Sequence, residues 1–197
     1  MARNTVSRAL HDLGLSAWFG GTLANAVALN PAAGEAGKDT GKVANVGWNR
    51  WTPVNAVAIG AHVVGSVGQL IGNRGRIAQQ EGVAGMSALK TLLTAAALGV
   101  TAYSRSLGQV VNGTGSGAAN PSSRSGTKPT KRTKAEIAAA QEQLDSLQWV
   151  IPALTGALVV VSSYAGEQQR ASEVSKGVAE KNFAADGRTA APGVTVS

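Results

Sequence analysis

The sequence predicts an all-α fold: a four-transmembrane-helix bundle with a disordered loop between the third and fourth helices. Three observations predict it. The stretch Trp51–Asn73, WTPVNAVAIGAHVVGSVGQLIGN, runs 23 residues without a formal charge, long enough for a helix to cross a hydrocarbon core of about 30 Å. Apolar residues collect in four blocks separated by polar segments. Aromatic residues fall at the block ends, where an interfacial belt would hold them.

Residues 1–12 carry Arg3, Arg8, His11 and Asp12 and read as a juxtamembrane segment. Residues 13–111 hold the first three helices. The first block, Leu13–Gly34, has no charge; its membrane part is expected to end near Asn30, because Pro31 disfavours a helical residue before it and AAGEAGKDTG is turn-rich. Loop one then carries Glu35, Lys38, Asp39, Lys42 and Arg50. The second block enters through WTP, with Pro53 expected in the first helical turn, where its missing N–H has no partner to lose. It leaves through GNRGR into a short connector that makes antiparallel neighbours of helices two and three.

The third block, Gly82–Ser104, contains Lys90, and its charge-free part from Thr91 is too short to span alone. Lys90 therefore has to snorkel to the near interface or face the bundle interior. Residues 112–133, NGTGSGAANPSSRSGTKPTKRT, offer almost nothing to bury and read as the disordered loop. Residues 134–166 form an extended fourth helix that starts outside the membrane and runs through the charge-free stretch Ser146–Gly166. Residues 167–197 are a polar tail expected to fray.

Insertion energies rank the blocks. Leu, Ile, Phe and Val each gain about 0.3–0.6 kcal/mol at a helix centre, while a central Lys cancels about 2.5–3.5 kcal/mol. Blocks two and four insert by themselves on that scale, and block three needs its neighbours. In a four-crossing topology Trp48, Trp51, Tyr103 and Trp149 share one side and serve as interfacial anchors. Lys and Arg counts do not separate the two sides, but those nearest the helix ends (Arg3, Arg8, Arg74, Arg76, Arg170) lean toward cytoplasmic termini.

The net charge is +7 and the isoelectric point near 10.2. A nucleic-acid binder can show this balance, but the basic residues are dispersed and no aromatic platform accompanies them, so nucleic acid is not an expected partner. There is no cysteine, which excludes disulfides and thiolate chemistry. The N-terminus could imitate a secretory signal, with Ala26-Val27-Ala28 as a small-residue cleavage pattern. Three further apolar blocks favour a first helix that stays in place.

The candidate intramembrane polar site is His62, Asn25 and Lys90. An imidazole at mid-depth is costly unless paired, and such residues are often functional. His62 could ligate haem, hold a quinone headgroup or relay a proton; the plainer alternative is a neutral His62 hydrogen-bonded to Asn25 or to another helix. His11, placed before the first block, is not expected within reach, which leaves no second axial ligand for haem. Asn55 and Gln69 are expected to bond between helices. Gly68 and Gly72 form a GxxxG, Ala56/Gly60 and Ala61/Gly65 extend the small-residue spacing, and Gly20 and Gly21 do likewise in block one. Such residues let backbones approach in lipid, either within this chain or onto another membrane protein.

There is no Walker loop, HExxH, GxSxG, Rossmann fingerprint or paired intramembrane carboxylate. No metal ligand set, cofactor or catalytic residue is expected.

The phrases LGLSAWFGGTLANAVALNPAA, VGWNRWTPVNAVAIGAHVVGSVG, LGVTAYSRSLGQ and LQWVIPALTGALVV resemble a group of small four-helix integral membrane proteins from actinobacteria, over roughly residues 1–112 and 134–170. More distantly, WFGG in the first helix followed by a proline is similar to anthrone-oxygenase-like and DoxX-like four-helix membrane proteins. The resemblance implies the fold alone and fixes no active site. The expectation is a multi-pass protein of the bacterial inner membrane, non-catalytic, an accessory or structural subunit docking on a larger lipid-transport or respiratory complex, or on itself. The alternative is a membrane-embedded enzyme or redox protein that acts on a hydrophobic substrate through His62 and Asn25.

Overall fold

The structure, a computed structural model, describes residues 4–113, 126–129 and 133–185. In order the helices are α1 (Thr5–Ala24), α2 (Asn30–Glu35), α3 (Thr40–Gly72), α4 (Arg74–Gln79), α5 (Val83–Gly113), α6 (Ala135–Glu167) and α7 (Ala171–Ala185). No strand occurs among the described residues. Three helices, α3, α5 and α6, are long and apolar enough to cross a membrane; α1, which opens with Arg8, His11 and Asp12, does not qualify on its own composition.

Pro31 does not end the first helix. Asn30 is fully helical (φ −65°, ψ −45°), and a π-helical turn over Asn25–Leu29 joins α1 to α2. Proline removes one N–H from the helical ladder; a turn wider by one residue lets the carbonyls skip the missing donor. The segment read as loop one is mostly helix as well. A 3₁₀ turn, Gly37–Asp39, with Gly37 at φ 57°, leads straight into α3, and Thr40 Oγ1 donates to Gly37 O at 2.6 Å. Trp48, Arg50 and Trp51 therefore ride on α3, and Pro53 lies well inside the helix rather than in its first turn.

α1 runs antiparallel to α3. Asn4 lies beside Gly68 and Gly72, His11 beside Gly65, Gly14 beside Ala58 and His62, and Gly21 beneath Trp51. The approach is closest at two reciprocal glycines. A Cβ on Gly14 would overlap the Ala58 carbonyl and the His62 amide; one on Gly65 would overlap the His11 amide and the Ser7 carbonyl. α6 lies against α1 through Phe19–Gly156 and against α2 through Asn30–Gln148, and Tyr103 of α5 bonds Gln143 of α6. At the centre Trp18, Ala58, Ala97 and Ile151 meet, one each from α1, α3, α5 and α6.

The small residues thus divide. Gly21, Gly65, Gly68 and Gly72 are spent on α1–α3 packing inside the chain, whereas Gly20 and Gly60 have nothing within 4 Å. Of the anchors, Tyr103 and Trp149 are half-exposed; Trp48 and Trp51 instead pack onto α2 and α1.

Of the loop 112–133, residues 112 and 113 complete α5, and Gly126 N bonds Asn30 O at 3.2 Å while Thr127 Oγ1 bonds Asp145 at 2.7 Å. The expectation of disorder for residues 114–125 and 130–132 lies outside the described residues. In the tail, α7 folds back onto the connector: Glu81 N donates to Gly177 O at 3.0 Å, and the buried Gln80 donates to Gln168 O at 3.0 Å. Residues 186–197 lie outside the described residues.

The glycine contacts predict an asymmetry. Gly65→Leu must push apart two backbones and should cost at least the 1–3 kcal/mol, roughly, of ordinary overpacking, whereas Gly60→Leu should leave stability within about 0.5 kcal/mol, as for open surface sites. Thermal unfolding of the two variants in the same detergent checks it; equal losses would mean that α1 and α3 are not in this register.

Candidate functional site

Leu15 follows His11 by four positions, and the buried residues of α1 are His11, Gly14, Leu15, Trp18 and Thr22. That spacing is one face of a helix, and it carries His11 onto α3. The two imidazoles meet in a tilted contact, with ring centroids 4.5 Å apart at 47°, and Trp18 lies 6.0 Å from His62. Both histidines are almost completely buried. The expectation that His11 is remote from His62 is therefore corrected: antiparallel packing of α1 on α3, with glycine at each closest approach, brings them into contact. Rings in direct contact at this distance leave no gap for a porphyrin plane between them.

Both nitrogens of His62 face other helices. Nδ1 lies 3.4 Å from the His11 carbonyl and Nε2 lies 3.3 Å from Thr94 Oγ1 on α5. A carbonyl only accepts, so Nδ1 carries the proton and Nε2 accepts from the threonine hydroxyl. His11 Nδ1 contacts Asp12 Oδ1 at 2.7 Å, and Asp12 is exposed. A line of titratable and hydroxyl groups thus runs from Asp12 through both rings to Thr94.

Asn25 does not belong to this cluster. It sits 14 residues beyond His11, about 21 Å along the helix at 1.5 Å per residue, and its Nδ2 is buried without a partner among the described residues. Asn55 Oδ1 and Gln69 Nε2 are likewise unpartnered. The amide that does join helices is Asn30. Its Nδ2 donates to Gln148 Oε1 at 2.8 Å, its Oδ1 accepts from Trp48 Nε1 at 3.0 Å, and its carbonyl accepts from Gly126. Gln148 in turn donates to Asp145. Sequence reasoning missed Asn30 because it treated Asn-Pro as a helix end.

Lys90 lies one helical turn before Thr94 and lines a cavity of about 280 Å³ between α3 and α5. The cavity walls are largely aliphatic, including Val63, Val67, Leu70 and Leu98, with Arg76, Asn73 and Gln169 at one end. Those three residues also line a second cavity of about 660 Å³, which adds Arg8, Asn4 and Gln80. Arg76 donates only to neutral acceptors, Gln80 Oε1 at 3.0 Å and Gln168 O at 2.8 Å. Partial burial, then the neighbouring Arg8 charge, push its guanidinium below the ordinary value. Among the described residues no cluster of three metal-ligating side chains occurs.

Fold and site together define a class: an all-helical protein with three helices fit to cross a membrane, a buried histidine pair and an adjoining cavity. No protein-family model, curated protein or solved structure matches this chain.

The two amides give a contrasting pair of variants. Asn30→Leu strands the Trp48 N–H and the Gln148 carbonyl oxygen and should cost about 1–3 kcal/mol for each group left unsatisfied. Asn25→Leu removes an amide nitrogen that is already unpartnered and should be neutral or stabilising. Denaturant unfolding of both variants decides, and the reverse ranking would overturn the assignment of Asn30 as the joining residue.

Proposed function

We propose that the chain is a multi-pass integral membrane protein of the bacterial inner membrane in which α1 crosses together with α3, α5 and α6 as a four-helix bundle. One observation carries this reading: the packing is inverted relative to a water-soluble bundle. Val57 (73% exposed), Leu92 (69%) and Val160 (68%) project outward, while His11, His62, Asn30 and Thr155 are buried. In water the aliphatic exterior would forfeit about 1.5–3 kcal/mol for every such side chain left outside. In lipid it costs nothing, and the polar groups are the ones that must turn inward. α1, with its charged first turns, is carried by its close fit to α3.

Within the membrane the chain acts as a non-catalytic accessory or structural subunit of a larger assembly, of which a lipid-transport or respiratory complex is the kind to examine. Both nitrogens of His62 are turned to neighbouring helices, which supports a packing role. The outward faces that carry Gly20 and Gly60 remain for a partner or a second copy. A second reading, a membrane-embedded enzyme or redox protein, draws on one feature: the histidine pair stands beside the Lys90 cavity, with Thr94 at the boundary.

After expression in a bacterial host the protein should stay in the membrane pellet through alkaline washing and come out only with detergent. Purification in a mild detergent followed by mass spectrometry should then show a stoichiometric partner. Solubility without detergent would sink the membrane reading, and a lone monodisperse chain would sink the accessory role. His62→Leu separates the two readings: loss of assembly marks packing, while intact assembly with a lost activity marks chemistry.

A further inference from the structure

The two cavities share a boundary, and their chemistries differ in one direction. The cavity between α3 and α5 is largely aliphatic; the one beside it, reaching α7, is the more polar of the two, with Asn4, Arg8, Arg76 and Gln169 in its lining. Asn73, Arg76 and Gln169 line both, so a molecule could lie across them with one end in each. The first volume falls near the lower end of ligand pockets, about 300–1,000 Å³.

The charges at this junction are unbalanced. Arg8 donates to Gln169 Oε1 at 2.7 Å, Arg76 donates to amide oxygens, and Lys90 makes no ion pair among the described residues. No carboxylate lines either cavity. Asp12, the acid closest to Lys90 in electrostatic terms, is committed to His11. Arg8 repels both Arg76 and Lys90, with Asp12 pulling the other way on Lys90, and an anion placed among the three cations relieves that repulsion.

From this juxtaposition we propose that the chain binds one anionic membrane phospholipid, its acyl chain in the groove between α3 and α5 and its phosphate among Arg8, Arg76 and Lys90. The inference rests on the membrane reading given above. It fits the expected orientation too, since the basic mouth lies at the end shared by the N-terminus and Arg74, the side assigned to the cytoplasm, whose leaflet carries anionic lipid.

The test uses the full chain in an uncharged detergent, with phosphatidylglycerol and phosphatidylcholine of matched acyl chains competed against each other and counted by native mass spectrometry. One phosphatidylglycerol should be retained per chain in preference to phosphatidylcholine. Lys90→Gln and Arg76→Gln should each weaken that preference roughly fivefold, the loss expected for one basic residue at an anionic headgroup. Arg105→Gln, on exposed α5 surface away from both cavities, should leave it unchanged. Leu98→Trp, which fills the groove, should lower retention of both lipids. If Lys90→Gln does not fold, Arg76→Gln, on the short α4, and Arg8→Gln, in the first turn of α1, decide instead. Equal retention of the two lipids, or preference unmoved by the arginine variants, overturns the lipid site and leaves the membrane reading standing. A stabilisation by inorganic phosphate alone equal to that by the lipid overturns the amphiphile and marks a free-anion site. A chain that stays dissolved without detergent and enters no vesicle of either lipid overturns the membrane reading, and the lipid site with it.

Discussion

Much of this molecule depends on how close α1 comes to α3. Where lipid is the solvent, apolar side chains gain nothing by leaving it for one another, so helix association falls to dispersion at short range and to polar contacts. Gly14 and Gly65 supply the short range. Each lays its backbone on the other helix, and together they bracket the level at which His11 and His62 meet. A side chain at either position would lift the helices apart. The rings would then lose contact, and His62 would lose the His11 carbonyl that fixes its tautomer. Trp18 completes the layer one turn further along the same face.

Polarity is distributed along the bundle in three tiers, and each solves a different problem. At the aromatic end Asn30 ties α2, α3 and α6 together, and its carbonyl receives the Gly126 amide from the long loop. In the middle the histidine pair is sealed among Trp18, Thr94 and two glycine contacts. At the opposite end the residues are basic and their partners are neutral amides. In this last tier Arg8 and Arg76 make no ion pair among the described residues. It is the tier that asks for something the chain does not contain.

How legible this was depended on the kind of signal. Length and composition marked α3 and α6 without help from tertiary context, and the helical extension before Ser146 was visible in its strong helix formers. The errors came from treating proline as a boundary. Asn30-Pro31 and Thr52-Pro53 both lie inside helices, because a π turn absorbs the first and a long helix tolerates the second. That one assumption hid the Asn30 hub and put Trp48 in a loop. His11 was hidden differently: the charged first turns of α1 suggested a surface segment, although the 3–4 spacing of His11, Gly14, Leu15 and Trp18 already described a buried face. Which glycines pack inward and which face out was beyond sequence, since Gly60 and Gly65 obey the same small-residue spacing and differ only in which side of α3 they occupy.

The tail gives the basic tier its shape. Gln80 is buried because α7 and the end of α6 close over it, and its amide holds Gln168 and Glu173 carbonyls at once. Gly82, at φ 78°, turns the chain there, and Glu81 is bonded directly to Gly177. Through Gln80 Oε1 and Gln168 O this same joint sets the position of the Arg76 guanidinium. A segment whose composition suggests fraying is therefore part of the wall of both cavities, by way of Gln168 and Gln169 on one side and Val174 and Val178 on the other. The short connector between α3 and α5 does more than reverse the chain: clamped by α7, it fixes two guanidinium groups near each other where free side chains would separate. Holding like charges together costs free energy, and a fold that does so by offering the guanidinium groups neutral acceptors, themselves held by backbone and amide hydrogen bonds, has arranged a field for an anion rather than neutralised one.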